Sequence, residues 1–166
     1  MAAKTGTYTL IASDTLTSGK AGVSFTSIPG NYTDLIVVIS TKSTTDSYVK
    51  VSFNSDTGSN YSFTRLYGTG TTAGSNRGSN MTYWQSLYTT NGATFNTVIM
   101  QVFDYANTTT NKTSLMRENT ASAEVDAHVG MWRSTAAITA ISFDKVSGNF
   151  DSGSTFKLYG IEAGNL

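Results

Sequence analysis

Three ionisable side chains alternate along one short segment and are the strongest candidates for chemistry in this sequence. Glu124, Asp126 and His128 stand at positions i, i+2 and i+4, so a β-strand would place all three on one face. Two carboxylates and an imidazole can bind a divalent cation, which makes these residues weak candidates for a metal site. They are also typical of an ordinary polar outer face, and we weigh that interpretation more heavily. The sharper hypothesis is that this face lies at a subunit contact.

The sequence offers little for nucleophilic catalysis. His128 is the only histidine, and it stands between Ala127 and Val129 in the alternating segment. We expect Val125, Ala127, Val129 and Met131 to face inward, which predicts that His128 points into solvent. No Gly-x-Ser-x-Gly turn leads from a strand into a helix. We therefore predict that the protein is not an enzyme, with no catalytic residue and no cofactor.

Two other features suggest ligands only loosely. The segment 54–60 has one carboxylate and lacks the acidic closure of an EF-hand loop, so a hairpin turn is the favoured interpretation. The aromatic residues Tyr83, Trp84, Tyr88 and Trp132 could form a platform for a sugar. In a chain of this kind, aromatic side chains more often anchor a core or an interface.

The composition narrows the class of partner. Charged residues make up 13% of the 166 residues and the formal net charge is zero, so there is no basic excess that would neutralise nucleic-acid phosphates. No apolar run approaches the length needed to cross a bilayer, and the first residues lack the apolar core of a signal peptide. We predict no nucleic-acid partner, no membrane partner and synthesis in the cytoplasm of a host cell.

Short alternating segments separated by Gly, Asn, Ser and Pro predict β-strands throughout, and no segment shows strong helical periodicity. The predicted strands are 7–12, 21–28, 32–41, 48–53, 61–67, 83–88, 97–105, 113–119, 123–133, 137–146 and 155–162. The Gly-, Thr- and Ser-rich segment 68–80 is predicted to be a long loop that is available for partner contact. An antiparallel two-sheet β-sandwich pairs such strands around one core. Jelly roll is the preferred topology, and an immunoglobulin-like or other sandwich stays open.

The domain prediction is simple. Residues 1–6 form a flexible N-terminal arm, and residues 7–166 form a single β-sandwich domain. A chain of this size can bury a sizeable core without metals or disulfides.

Several stretches suggest a family when they are taken together. They include the opening Tyr8–Ser13, Ser27–Pro29, Arg65–Gly68, and the closing Gly-Ser-Thr-Phe-x-Leu-Tyr-Gly-Ile of residues 153–161. The chain resembles small virion structural proteins of tailed phages, including those of cyanophages and other environmental phages. The resemblance spans nearly the whole chain, the closing stretch is its most specific part, and residues 70–95 carry little of it.

This resemblance implies a β-sandwich or jelly-roll fold, a place on the particle surface and no catalytic motif. The leading hypothesis is a capsid decoration, or cement, protein that binds the major capsid protein on the outer surface of the capsid as a homotrimer. It would stabilise the contacts between capsid subunits. The alternative is a tail- or fibre-associated protein that binds a host-surface glycan.

Candidate contact residues follow from the polar segment 68–80, the aromatic pair after it and the ionisable face. The interface candidates are Thr69, Asn76, Arg77, Tyr83, Trp84, Glu124, Asp126 and His128.

Overall fold

A computed structural model describes residues 7–120 and 124–162, and this part of the chain folds into twelve β-strands with no helix. The strands are β1 Tyr8–Thr15, β2 Gly22–Phe25, β3 Asp34–Thr41, β4 Ser47–Phe53, β5 Tyr61–Gly68, β6 Ala73–Met81, β7 Trp84–Thr89, β8 Asn96–Phe103, β9 Lys112–Thr120, β10 Glu124–Trp132, β11 Ile141–Lys145 and β12 Thr155–Ile161. The prediction of an all-β fold is confirmed. Within the described ranges, no helix is long and apolar enough to span a membrane.

The strands form two antiparallel sheets. The larger sheet has eight strands in the order β1-β12-β3-β8-β9-β10-β5-β6, and the smaller sheet has four in the order β2-β11-β4-β7. One apolar core contains side chains from both sheets, so the sheets pack face to face as in other sandwiches. The predicted two-sheet sandwich is confirmed, and the arrangement is consistent with a jelly-roll-like fold. The predicted arm 1–6 and the chain end after residue 162 lie outside the described residues.

Alternation along the strands builds the core. In β3 and β4, Leu35, Val37, Val49, Val51 and Phe53 are all almost completely buried. Successive side chains of a strand point to opposite faces, so the apolar members of each strand meet between the sheets. The tight packing that results makes the core sensitive to added volume.

One close approach in this core leads to a testable prediction. A Cβ atom built on Gly130 of β10 would lie 2.6 Å from Cε2 of Trp84 in β7, and the Trp84 side chain is only 1% exposed. Because the ring has no free space to move into, we expect Gly130→Ala to lower the free energy of unfolding by about 2 kcal/mol, measured by denaturant titration. Gly68→Ala is the matched control, since a Cβ there meets nothing within 4 Å. Equal stabilities of the two variants would contradict the packing argument.

The segment 68–80 is not a long loop, and that prediction is wrong. It contains the end of β5, a short turn, and the edge strand β6, Ala73–Met81. Most β6 side chains are exposed. An edge strand with polar residues on both faces gives no apolar alternation, which is why the sequence pattern does not reveal it.

The segment before β11 also differs from the prediction. Strand β11 begins at Ile141 rather than at Ala137, because the side chain of Asn54 holds the preceding backbone. Its Nδ2 donates to the carbonyl of Ala137 at 2.8 Å, while its Oδ1 accepts from the amides of Thr139 and Ala140 at 2.8 and 3.0 Å. These bonds replace the ladder hydrogen bonds that a longer strand would make.

The segment 54–60 is a turn built around Asp56. Oδ1 of Asp56 accepts from the amide of Gly58, and Oδ2 accepts from Asn60 Nδ2 and Trp132 Nε1. Burial opposes ionisation, but these hydrogen bonds outweigh it and hold the pKa of Asp56 below its ordinary value. The interpretation as a turn is confirmed, but the turn does not close a hairpin, because β4 and β5 on either side of it belong to different sheets.

The buried Lys145 predicts an alkaline pH dependence of stability. Its Nζ donates to the carbonyl of Ser47 at 3.2 Å and to the hydroxyl of Thr89, and burial lowers its pKa from 10.5 to about 8. Between these values the unfolded chain binds more protons than the folded chain, so stability rises with pH. We expect a gain of about 1–2 kcal/mol between pH 8 and 9.5.

Urea titrations at several pH values between 7.5 and 9.5 measure this effect. In the Lys145→Met variant, the increase of the free energy of unfolding with pH should disappear, whatever the absolute stability of the variant. A slope that persists in this variant would assign the pH dependence to another group.

Candidate functional site

Strand β10 faces the opposite way from the prediction. Asp126, His128 and Gly130 point into the sandwich, whereas Val125 and Val129 are 63% and 58% exposed. The prediction that His128 points into solvent is therefore wrong. The apolar side chains of β10 alone do not determine which side of the strand faces the core. Polar side chains on the neighbouring strands surround Asp126 and His128, and the valines belong to a larger exposed apolar surface.

That surface is formed by the outward side chains of β5, β8, β9 and β10, and we call it the apolar outer face. Its sixteen positions are Ser62, Thr64, Leu66, Gly68, Thr97, Ile99, Gln101, Phe103, Thr113, Leu115, Arg117, Asn119, Val125, Ala127, Val129 and Met131. Arg117 is the one charged residue among them. The four-stranded sheet covers only the other side of the larger sheet, so this face has no partner within the described chain.

Exposed apolar side chains concentrate on this side of the protein. Of the ten large hydrophobic residues that are exposed in the described ranges, eight point outward from the eight-stranded sheet. They are Tyr8, Leu10, Leu66, Ile99, Phe103, Leu115, Val125 and Val129. The remaining two, Phe95 and Val146, lie elsewhere. Clustering of this kind marks a contact surface rather than scattered exposure.

A shallow depression of about 580 Å³ extends the apolar outer face onto β3, β12 and β1. It is lined by Tyr8, Ile36, Val38, Ile99, Gln101, Leu115, Arg117 and Tyr159. Gln101 and Arg117 carry its polar head groups, and Gln101 Nε2 donates to Asp34 Oδ2 at 2.8 Å. The depression can receive an apolar side chain of a partner, with the Arg117 guanidinium beside it as a hydrogen-bond donor.

On the inner side of the same strands lies a buried ionic cluster of Arg65, Glu118, Glu124, Asp126 and His128. Arg65 on β5 donates from its terminal nitrogen to Asp126 Oδ2 at 2.9 Å and also pairs with Glu124. Burial works against its charge, but these two carboxylates more than compensate and raise the pKa of Arg65. The guanidinium therefore stays charged inside the protein.

The other half of the cluster joins β9 and β10. Nε2 of His128 lies 3.1 Å from Oε1 of Glu118, and both side chains are almost completely buried. Burial raises the pKa of Asp126 to about 6, against the opposing effect of Arg65. The cluster thus contains a carboxyl group that is easily protonated as well as a permanent cation.

Strand β7 closes over this cluster. The Trp84 ring lies against Gly130, and the Ser86 hydroxyl is 2.9 Å from the Met116 sulfur on β9. Asp126 and His128 are consequently enclosed, and the hypothesis that their face lies at a subunit contact is corrected. The sequence identified three members of a real cluster but placed them on the wrong side of the sheet.

The other interface candidates have varied positions. Thr69, Asn76 and Arg77 are exposed at the β5–β6 turn and on the edge strand β6, so they stay available for contact. Tyr83 is half-buried, with Lys50 Nζ 5.9 Å from its ring centre. Trp84 is only 1% exposed, which corrects its prediction as a contact residue and as a sugar platform.

Sequence reasoning missed Arg65 and Glu118 in the cluster. Arg65 follows Tyr61 and Phe63 on the inward face of β5, and an arginine within an apolar set signals a buried carboxylate partner. Glu118 gave no comparable signal, because it becomes a neighbour of Asp126 only through the pairing of β9 with β10.

Comparison with known proteins adds little to this geometry. No protein-family model and no curated protein matches the chain. Among solved structures, the chain is similar to the galectin LEC-6 of Caenorhabditis elegans, with 8% sequence identity and a TM-score of 0.36. The similarity covers 95% of this chain and 96% of the galectin chain. No functional argument rests on it.

Proposed function

We propose that this protein is a structural component of a tailed-phage particle and decorates the outer surface of the capsid. It binds the major capsid protein through the apolar outer face and stabilises the contacts between capsid subunits. The observation that carries the proposal is the near absence of charge from that face, with one charged residue among sixteen outward positions. No catalytic step is part of this function.

Exposed apolar side chains on neighbouring strands suit this face to a protein contact. Six side chains of the face are between 37% and 63% exposed: Leu66, Ile99, Phe103, Leu115, Val125 and Val129. Tyr8 and Leu10 on β1 are also exposed and point outward from the same sheet. Clustered exposed apolar side chains of this kind mark a protein-binding surface.

The chemistry of the face points to protein rather than to nucleic acid or membrane headgroups. Interface centres are depleted of charged residues and enriched in apolar ones. Arg117 lies in the depression among apolar neighbours, where its guanidinium can donate to a carboxylate or a carbonyl group of the partner. A basic surface, which phosphate groups would require, is not part of this face.

Contacts from several copies of the protein to several capsid subunits would strengthen the attachment. Capsid subunits are held in a lattice, so a homotrimer that touches several of them gains affinity by effective concentration. We place the trimer at threefold positions of the shell, with synthesis in the host cytoplasm before attachment. The exposed candidates Thr69, Asn76 and Arg77 lie at the edge of the sandwich, where neighbouring copies can meet.

The alternative, a tail or fibre protein that binds a host-surface glycan, has less support. It would use the segment 68–80 together with Tyr83 and Trp84, and Trp84 is buried in the core. Tyr83 remains beside a polar groove together with Lys50 and Asp144. A single half-buried tyrosine is a weak stacking surface for a sugar.

Copy number on purified virions tests the proposal. Quantitative gel staining against the major capsid band should show hundreds of copies per particle, and a virion preparation from a phage that lacks the gene is the control. A handful of copies would favour the tail or fibre alternative. Absence of the chain from purified particles would contradict both.

A further inference from the structure

The buried ionic cluster carries more negative than positive charge. It contains three carboxylates, on Glu118, Glu124 and Asp126, and one guanidinium, on Arg65. Carboxylates therefore outnumber the guanidinium in the cluster. Because buried negative charge is costly, a cation held among these side chains would lower that cost.

The strand register sharpens the problem. Glu118 of β9 and Asp126 of β10 stand directly opposite each other on the inner face. Like charges in directly opposed positions of an antiparallel pair destabilise the sheet. A cation held between the two carboxylates would be attracted to both of them and would offset their mutual repulsion.

An unsatisfied carboxylate oxygen points to the same place. Within the described residues, Asp126 Oδ1 is buried and has no hydrogen-bond partner, and Asp126 is more than nine-tenths buried. One ligand atom from each of Glu118, Asp126 and His128 lies within 4.8 Å of the others. Buried polar atoms without a partner are rare in native structures and require an explanation.

We propose that Glu118, Asp126 and His128 bind one divalent transition-metal cation of the Zn²⁺ class in the interior of the sandwich. The unpartnered Asp126 Oδ1 and the grouping of the three ligand atoms within 4.8 Å of one another carry this assignment. This site does not depend on the proposed attachment to a capsid, because it lies on the inner side of the sheet.

The distances and ligand types select the metal. Ligands about 2.1 Å from Zn²⁺ in a tetrahedral site are about 3.4 Å apart, and Glu118 Oε1 and His128 Nε2 are 3.1 Å apart. A small rotation of the carboxyl groups brings the third ligand into range. Calcium takes six to eight oxygen ligands, which this site with one imidazole does not supply. We therefore expect Zn²⁺ to bind and Ca²⁺ not to bind.

The role of the ion is structural. Its ligands come from two adjacent strands, β9 and β10, beneath the cover formed by β7. An ion that binds the folded chain alone stabilises it by mass action. At a hundredfold excess over the dissociation constant, we expect the midpoint of thermal unfolding to rise by about 5–10 °C.

The test uses the full-length protein after EDTA treatment and dialysis. Isothermal titration with Zn²⁺ should give one site per chain, and thermal unfolding with and without Zn²⁺ should show the rise in midpoint. Ca²⁺ should produce neither effect. A Zn²⁺-independent midpoint, or a titration without a binding isotherm, would overturn the proposal and leave bound protons as the compensating charge.

Variants locate the site. Glu118→Gln and His128→Gln should each weaken Zn²⁺ binding at least tenfold, while Asp14→Asn, which removes an exposed carboxylate paired with Lys20, should leave it unchanged. Two ligand variants are used because one of them can fail to fold, which circular dichroism would show. Folded ligand variants with undiminished Zn²⁺ affinity would contradict the assignment.

Discussion

Val129→Asp is expected to weaken attachment of the protein to phage capsids by roughly a hundredfold. Val129 lies on β10 in the interior of the larger sheet, and its side chain is 58% exposed at the middle of the apolar outer face. A carboxylate placed there would lose its hydrating water when the protein binds, and it would gain no hydrogen-bond partner. We expect this desolvation to cost about 3 kcal/mol of binding free energy, which corresponds to roughly a hundredfold loss of affinity.

Cosedimentation with virions that lack the protein measures this loss. Val146→Asp is the matched control, since Val146 is similarly exposed at 52% but lies beyond β11, away from the apolar outer face. The control variant should bind as the wild type does. If both variants bind equally well, attachment does not use the apolar outer face.

Arg65→Met is expected to lower the free energy of unfolding by about 3–5 kcal/mol, the usual cost of removing one partner from a buried ion pair. The guanidinium pairs with Asp126 and Glu124, and its side chain is only 8% exposed. Methionine fills a similar volume but leaves the buried carboxylates without their cation. Denaturant titration of the EDTA-treated protein measures the change.

Arg117→Met provides the comparison. Arg117 is exposed on the apolar outer face of β9, which β10 separates from the β5 strand that contains Arg65. Its removal should change the stability of the isolated protein by less than about 0.5 kcal/mol. A loss of similar size in both variants would show that Arg65 acts through general charge or strand propensity rather than through the cluster. A Glu124→Gln substitution combined with Arg65→Met should recover part of the lost stability.

The sequence predicts most strands correctly because they are half- or fully buried. Leu35, Val37, Val49 and Val51 belong to apolar or alternating segments bounded by turn residues, and the structure buries each of them. The edge strand β6 escapes prediction because neither face is covered. The alternation of apolar and polar residues that reveals a strand in the sequence comes from burial of one of its faces, and hydrogen-bond pairing with a neighbouring strand does not produce it.

Which side of a strand faces the core is harder to predict than the strand itself. Along β10, the ionisable residues and the valines form two alternating sets, and the choice of the valines for the core is reasonable from this strand alone. The neighbouring strands decide otherwise, because Arg65 and Glu118 compensate and enclose the ionisable set. Cross-strand pairing over long sequence distances cannot be read from one segment.

The same limit applies to the candidate site. The alternation of Glu124, Asp126 and His128 can be seen in the sequence. Their contact with the buried Arg65 cannot be seen there. The apolar outer face likewise combines β8, β9 and β10, which follow one another in the chain, with β5, which is distant from them in sequence. Each strand contributes one or two exposed apolar residues, and only their alignment makes a surface.

The most direct measurement is a cryo-electron microscopy reconstruction of the intact particle with this chain located in the density. We expect many copies on the outer shell, each with β8, β9 and β10 turned toward the capsid and the four-stranded sheet turned toward solvent. Copies seated through the four-stranded sheet, or density for the chain only at the tail, would contradict it.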